Sequence, residues 1–288
     1  MSGPLQAEPM EKFRERMLAE GARHWRDLPW RHTRDPYAIW VSEVMLQQTQ
    51  VSRVDGRWQR WLSRFSTLEA LALAQTADVL SEWQGLGYNR RALALQRAAA
   101  QVCEAWDGQM PRDVASLVSL PGIGPATAAG IRAFAFDLPG VYLETNVRTV
   151  FLHELFTDAE KVPDRVLIPL VDEACPDQGA RRWYYALLDY GAHLKRTVPN
   201  PSRRSASHVR QSAFEGSRRQ KRAALVRLLL EAREAGLPGL ALEDAVASLG
   251  AQERAKGRRE PAAKLVRELL SELAEEGFCR GGDGLWSC

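Results

Sequence analysis

No apolar run in this 288-residue chain approaches the roughly 20 residues that a membrane-spanning helix needs. Residues 1–10 lack the apolar core of a secretion signal, so a cytoplasmic, soluble protein without a membrane partner is expected. Cysteine is scarce. The spacing of Cys103, Cys175, Cys279 and Cys288 matches no disulfide framework or metal-binding motif. Strand patterning is also missing before residue 217: 140–143 is too short to count, and no repeat of fixed period appears. These absences exclude a disulfide scaffold, a helical membrane protein and a solenoid, and they leave an all-α fold.

What is present is a well-populated core and an uneven charge. Hydrophobic residues make up 45% of the chain, enough for a folded protein of more than one domain. The net charge is only +3, yet residues 181–222 carry eleven Lys and Arg against Asp189 and Glu215 alone. Such an excess predicts an anionic partner. Helical spacing of apolar residues predicts helices over 11–26, from 36 onward, 51–65, 90–105, 146–156, 164–175 and 180–194. The polar, basic run 199–217 reads as a linker. After it, 219–235, 242–249 and 261–276 read as three helices and 277–288 as a hairpin, the make-up of a winged-helix module.

One stretch organises the rest. Leu120-Pro121-Gly122-Ile123-Gly124-Pro125 sits between two helical segments and reads as helix, glycine turn, helix. Gly122 and Gly124 leave the backbone bare, and the second helix begins there, so amide N–H groups and the positive dipole end meet at one place. That arrangement suits a phosphate. Some twenty residues on, Glu144 stands alone among apolar and neutral residues (Leu143-Glu144-Thr145-Asn146-Val147).

Together with Leu28-Pro29-Trp30-Arg31, with Trp40-Val41-Ser42-Glu43-Val44-Met45-Leu46-Gln47-Gln48-Thr49-Gln50 and with Gly85-Leu86-Gly87-Tyr88, this stretch resembles the helix-hairpin-helix (HhH-GPD) DNA glycosylases, and within them the MutY-type adenine glycosylases. The resemblance runs from about Arg26 to Lys195. It implies an all-α fold of two helical subdomains: a six-helix barrel at about 36–140, and a second formed by 1–35 with 141–216. The glycosylase domain is then 1–216, and 217–288 is the winged-helix-like module. The implied partner is double-stranded DNA carrying a mispaired or damaged base, flipped out of the stack because its target atoms are otherwise out of reach. A monomer is expected.

The resemblance also assigns roles. Glu43 matches the catalytic acid, which protonates the departing base and then steers water; burial must raise its pKa for the first task. Glu144 stands at the carboxylate that stabilises the sugar cation, where the family usually has Asp. Arg26, Leu28, Trp30, Arg31 and Leu46 match the wall of the base pocket, and Tyr185 stands where Glu or Gln reads the adenine edge. Gln48 matches the residue that fills the gap left by the base, and Tyr88 the wedge driven into the duplex. Gly122, Gly124 and Lys195 would meet the backbone. The carbonyls of Val118, Leu120 and Ile123 would hold a monovalent cation, as such hairpins often do.

Two departures limit the chemistry. Ala126 stands where glycosylase/lyases carry a nucleophilic lysine, so base excision without an efficient lyase step is expected. The family commonly ligates an iron–sulfur cluster just after the Leu188-Asp189-Tyr190-Gly191-Ala192 segment, but 193–215 holds no cysteine, so no cluster is expected. The Nudix-like domain that reads 8-oxoguanine in the family is also longer and less helical than 217–288. Adenine opposite 8-oxoguanine or guanine is the first substrate expected. Uracil or thymine in a mismatch is the alternative, and a non-catalytic lesion-binding protein is a third reading.

Overall fold

The computed structural model describes residues 9–208, 213–282 and 284–288. The first eight residues of the expected polar lead, the stretch 209–212 of the expected linker and Asp283 of the hairpin turn lie outside them. Fifteen α-helices follow in chain order: α1 Met10–Arg23, α2 Pro36–Leu46, α3 Val51–Val54, α4 Arg57–Arg64, α5 Leu68–Leu73, α6 Thr76–Glu82, α7 Arg90–Trp106, α8 Val114–Ser119, α9 Pro125–Phe136, α10 Thr145–Leu155, α11 Asp164–Ala174, α12 Ala180–Thr197, α13 Arg218–Glu234, α14 Leu242–Ala255 and α15 Ala263–Glu275. The short strands are β1 Leu240–Ala241, β2 Arg280–Gly282 and β3 Leu285–Ser287. The expected all-α class holds. Among the described residues no helix is long and apolar enough to cross a membrane.

The chain forms two units. The first comprises the described residues of Met1–Trp58 and Ala105–Arg210, the second those of Gln59–Glu104 and Gln211–Cys288. This grouping differs from the expected one, in which 36–140 was a single barrel. Residues 59–104 group instead with the C-terminal module, and ion pairs link the two. Glu276 binds Arg90 and Arg222, and Asp78 binds Arg233.

In the first unit, α12 is the central element, packed against α1, α9 and α10. Trp183, Tyr184 and Leu187 of α12 are fully buried with Met17, Phe151 and Val150. Helix α2 is apolar almost throughout and packs on α9. Asp35 caps its N-terminus through the Tyr37 and Ala38 amides, and Pro36 opens its first turn. The expected single helix 51–65 is broken at Asp55-Gly56, where Gly56 turns with φ of +75°. Part of the expected linker is packed rather than extended. Pro201–Arg204 forms a 3₁₀ turn, Ser205 bridges to Val162, and the Arg204 guanidinium donates to the Leu152, Phe156 and Thr157 carbonyls.

In the second unit, Trp61 packs edge-on against Phe65 and Trp83. The C-terminal part gains a strand that the sequence did not reveal: β1 pairs with β3, which pairs with β2, all antiparallel. The C-terminal elements follow in the order α13, β1, α14, α15, β2, β3.

Candidate active site

Glu43 projects from α2, a helix with eight buried residues. Its side chain is half-buried, and its Oε2 accepts a hydrogen bond of 2.8 Å from the Tyr142 hydroxyl. Space for the carboxylate comes from Gly130 of α9. A Cβ at that position would stand 2.4 Å from Glu43 Oε2 and 2.8 Å from the Tyr142 ring. Burial pushes the Glu43 carboxyl up to about 8; the Tyr142 bond works against this and the charge of Glu144 adds to it. A carboxyl at that value is protonated at neutral pH and can give a proton away.

Tyr142 is itself fixed on several sides. Its amide donates to the Tyr184 hydroxyl oxygen at 3.2 Å, and that hydroxyl donates to the Gly140 carbonyl. Its ring meets Phe134 and Tyr184 edge-on, at 5.2 and 5.3 Å. Burial, with Glu43 and Glu144 nearby, raises the Tyr142 hydroxyl well above its usual range, so it stays a donor. Glu144 occupies the N-cap position of α10, with no side-chain capping hydrogen bond. Burial raises its pKa, opposed by the Thr145 amide and by Arg148. Two carboxyl groups of raised pKa therefore share one neighbourhood, and Glu43 is displaced far enough to be the acid while Glu144 is the better candidate for the anion.

Beside them lies a second cluster, organised by Asp189 of α12. Its buried carboxylate accepts from Arg31 Nη1 and Nη2 at 2.7 and 2.8 Å and from Arg26 Nε at 2.6 Å. The Arg31 guanidinium lies over the rings of Trp25 and Tyr185, at 4.6 and 4.4 Å. Tyr185 stacks its other face on Phe134 at 4.4 Å, and burial pushes its hydroxyl up to about 12. Phe134 thus touches both Tyr185 and Tyr142.

The structure brings Arg26, Arg31 and Tyr185 together as the sequence suggested. Tyr185, however, is sandwiched between an aromatic ring and a guanidinium, so its ring faces are occupied. Trp30 is nearly fully buried, edge-on to Trp58 at 6.3 Å, whereas Leu28 and Leu46 keep partial exposure. Lys195 points at the Asn146 side chain, 3.1 Å away, rather than outward. Several of the basic residues of 181–222 also serve the fold: Arg181 donates to the Arg31 and Thr33 carbonyls, Arg204 to three others, and Arg222 pairs with Glu272 and Glu276.

The glycine turn is formed as expected. Asp113 caps α8 through the Ser116 amide, Gly122 turns the chain with φ of +79°, and Gly124 caps α9. The Ile123 amide donates to the Leu120 carbonyl at 3.1 Å. Gln48 and Tyr88 share a feature no sequence pattern reveals: both adopt left-handed backbone, with φ of 52° and 49°. For side chains of this size that conformation is costly and tends to mark function. Both are exposed.

Tyr142 and Asp189 were missed. Tyr142 belongs to the short 140–143 segment that has no periodicity to flag it. Asp189 had a signal, since it is a lone acid on the apolar stretch of α12.

A glycine hairpin between two helices, with a half-buried glutamic acid of raised pKa on a neighbouring helix of the same unit, defines a helix-hairpin-helix protein with a candidate acid site. Residues 41–173 match the HhH-GPD superfamily of base excision DNA repair proteins. It is 40% identical over 169 residues to an adenine DNA glycosylase of Mycolicibacterium smegmatis, covering 58% of this chain and 58% of that one. It is 36% identical over 214 residues to the adenine DNA glycosylase of Mus musculus, covering 68% of this chain and 40% of that one. The chain thus spans about half the length of the curated relatives it matches. In structure it resembles a thermostable thymine-DNA glycosylase with a TM-score of 0.57 at 24% identity, covering 64% of this chain and 86% of that one; this likeness is one of fold.

Proposed function

We propose that this protein is a monofunctional DNA glycosylase of base excision repair that removes adenine mispaired with 8-oxoguanine or guanine. The observation that carries the reading is the Glu43 carboxyl, raised to about 8 and held by Tyr142. The names of the relatives at 36–40% identity support adenine as the base.

In this reading the flipped adenine enters beside Arg26, Leu28, Trp30, Arg31, Leu46 and Tyr185. Arg31 Nε is buried without an acceptor, a donor left for an atom of the base. Glu43 gives its proton to N7 as the N-glycosidic electron pair passes to the purine. The sugar becomes an oxocarbenium-like cation, which the Glu144 carboxylate stabilises. The Glu43 carboxylate then takes a proton from water as its oxygen bonds to C1′, leaving an abasic site. Gln48 fills the gap, Tyr88 is the wedge, and Gly122, Gly124 and Lys195 hold the backbone. Without a lysine at Ala126 the reaction stops at base removal.

The residues do not fit an iron–sulfur cluster: Cys175 is buried at the end of α11, the other three cysteines belong to the second unit, and among the described residues no group of three His, Cys, Asp or Glu could hold a metal. The segment where the family's cluster would lie is held instead by Arg204 and its three carbonyls. The Val118, Leu120 and Ile123 carbonyls are the proposed ligands of a monovalent cation. The Leu120 carbonyl already accepts from Ile123 but keeps a second lone pair.

Release of the free base from A:8-oxoG, A:G, G:U and G:T duplexes tests the proposal. Release from A:8-oxoG or A:G is expected. Release only from G:U or G:T moves the function to the uracil/thymine alternative. Binding without release from any of the four leaves a lesion-binding protein.

A further inference from the structure

The family match ends at residue 173, yet the C-terminal module reaches back to the tip where Tyr88 sits. Arg219, in the first turn of α13, donates from Nη1 to the Tyr88 hydroxyl oxygen at 2.9 Å. Its guanidinium carbon lies 5.8 Å from the centre of the Tyr88 ring, and that of Arg91 lies 5.6 Å from it. Arg91 is anchored by the Leu86 and Gly87 carbonyls, at 3.1 and 2.9 Å. Two guanidinium groups thus approach the Tyr88 side chain, Arg91 from its own loop and Arg219 from the module, the latter through the hydroxyl.

Helix α13 is not loosely attached. Arg233 at its far end binds Asp78 at 2.9 Å, and Glu276 after α15 binds both Arg90 and Arg222, at 2.7 and 2.6 Å. Arg90 starts the helix that leaves the Tyr88 tip. The module therefore grips the segment on both sides of Tyr88, and Arg219 is the residue it sends to the ring itself. Tyr88 needs such support. It is 42% exposed, and its φ of 49° is one a tyrosine adopts at a cost.

We propose that Arg219 is a positioning residue for Tyr88, and that the C-terminal module takes part in lesion recognition by presetting the wedge for insertion into the duplex. The proposal rests on the reading of Tyr88 as that wedge. Preset, the ring enters the stack without first losing rotamer freedom, so the benefit appears in the rate of base flipping.

The experiment uses the full chain and stopped-flow fluorescence of 2-aminopurine placed next to the adenine of an A:8-oxoG pair. Wild type is compared with Arg219→Ala, Tyr88→Phe, the double variant carrying both, and Tyr88→Ala. Tyr88→Phe keeps the ring and removes only the hydroxyl, so it breaks the same bond from the other side. Arg219→Ala and Tyr88→Phe should each slow flipping about tenfold, as loss of a charge-assisted hydrogen bond allows, with the double variant no slower than either. Losses that add, or a loss confined to Arg219→Ala, mean that Arg219 acts on the DNA directly and overturn the proposal. Slow flipping in Tyr88→Ala with unchanged flipping in Arg219→Ala overturns it while leaving the wedge intact. Unchanged flipping in Tyr88→Ala removes the wedge reading, and the proposal with it.

Discussion

The Tyr142 hydroxyl donates a 2.8 Å hydrogen bond to Glu43 Oε2. The bond moderates the pKa of the carboxyl that burial has raised to about 8, and it fixes which oxygen faces the remaining space. A rate that needs Glu43 protonated falls as pH rises through about 8; one that needs Glu144 ionised falls as pH drops through its raised pKa. Single-turnover base release by the wild type should trace a bell between these limits. In Tyr142→Phe the restraint is lost, so the alkaline limb should move to higher pH while the maximum rate drops about tenfold. An alkaline limb moving to lower pH contradicts this role for Tyr142.

Asp189 pairs with both Arg26 and Arg31 from a fully buried carboxylate. Asp189→Asn leaves Arg31 buried without its counter-charge and should lower stability by about 3–5 kcal/mol, read as the urea midpoint. A loss under about 1 kcal/mol shows that the cluster tolerates the unpaired arginine and is not a fixed wall.

Gly130 is the close neighbour of the acid. In Gly130→Ala the methyl group meets Glu43 Oε2 and the Tyr142 ring well inside contact distance. The carboxylate must swing away, so base release should fall by about two orders of magnitude, as a misplacement of about 1 Å can cause. Substrate binding should change little. Wild-type release from Gly130→Ala would mean that the Glu43 position seen here is not the one that reacts.

Ala126 removes the amine a Schiff base requires. Incubation with a cleavable duplex and borohydride should give no appreciable protein–DNA adduct by gel shift under denaturing conditions. A strong adduct would show that another lysine or the N-terminus attacks C1′.

How much of this was legible in sequence depends on the kind of signal. Glu43 was legible because it lies in a long, specific string, and the hairpin because glycine and proline dictate backbone directly. The helices of the first unit followed from apolar spacing. Tyr142 was not legible: a lone tyrosine before a helix has no period and no turn chemistry, and its role comes from a contact 99 residues away in sequence. Tyr185 was seen as a residue of the pocket, but not that Phe134 and Arg31 would occupy both faces of its ring. The grouping of 59–104 with the C-terminal module was hidden for a related reason. Arg90, Asp78 and Tyr88 meet Glu276, Arg233 and Arg219 there, pairs that surface charge patterning does not specify.

If Glu43 is the acid, removing its proton must silence the reaction and also relieve a buried ionisable group. The folded-state pKa of Glu43 lies above its ordinary value of 4.5, so its contribution to stability is present at low pH and lost as pH rises through about 8. Glu43→Gln should therefore match the wild type in stability near pH 5 and exceed it near pH 9. The decisive measurement is single-turnover release of adenine from an A:8-oxoG duplex by wild type and Glu43→Gln, both bound at saturation. Release by the wild type with a loss of at least about a thousandfold in Glu43→Gln is the predicted result. Equal release by the two proteins would contradict the central claim.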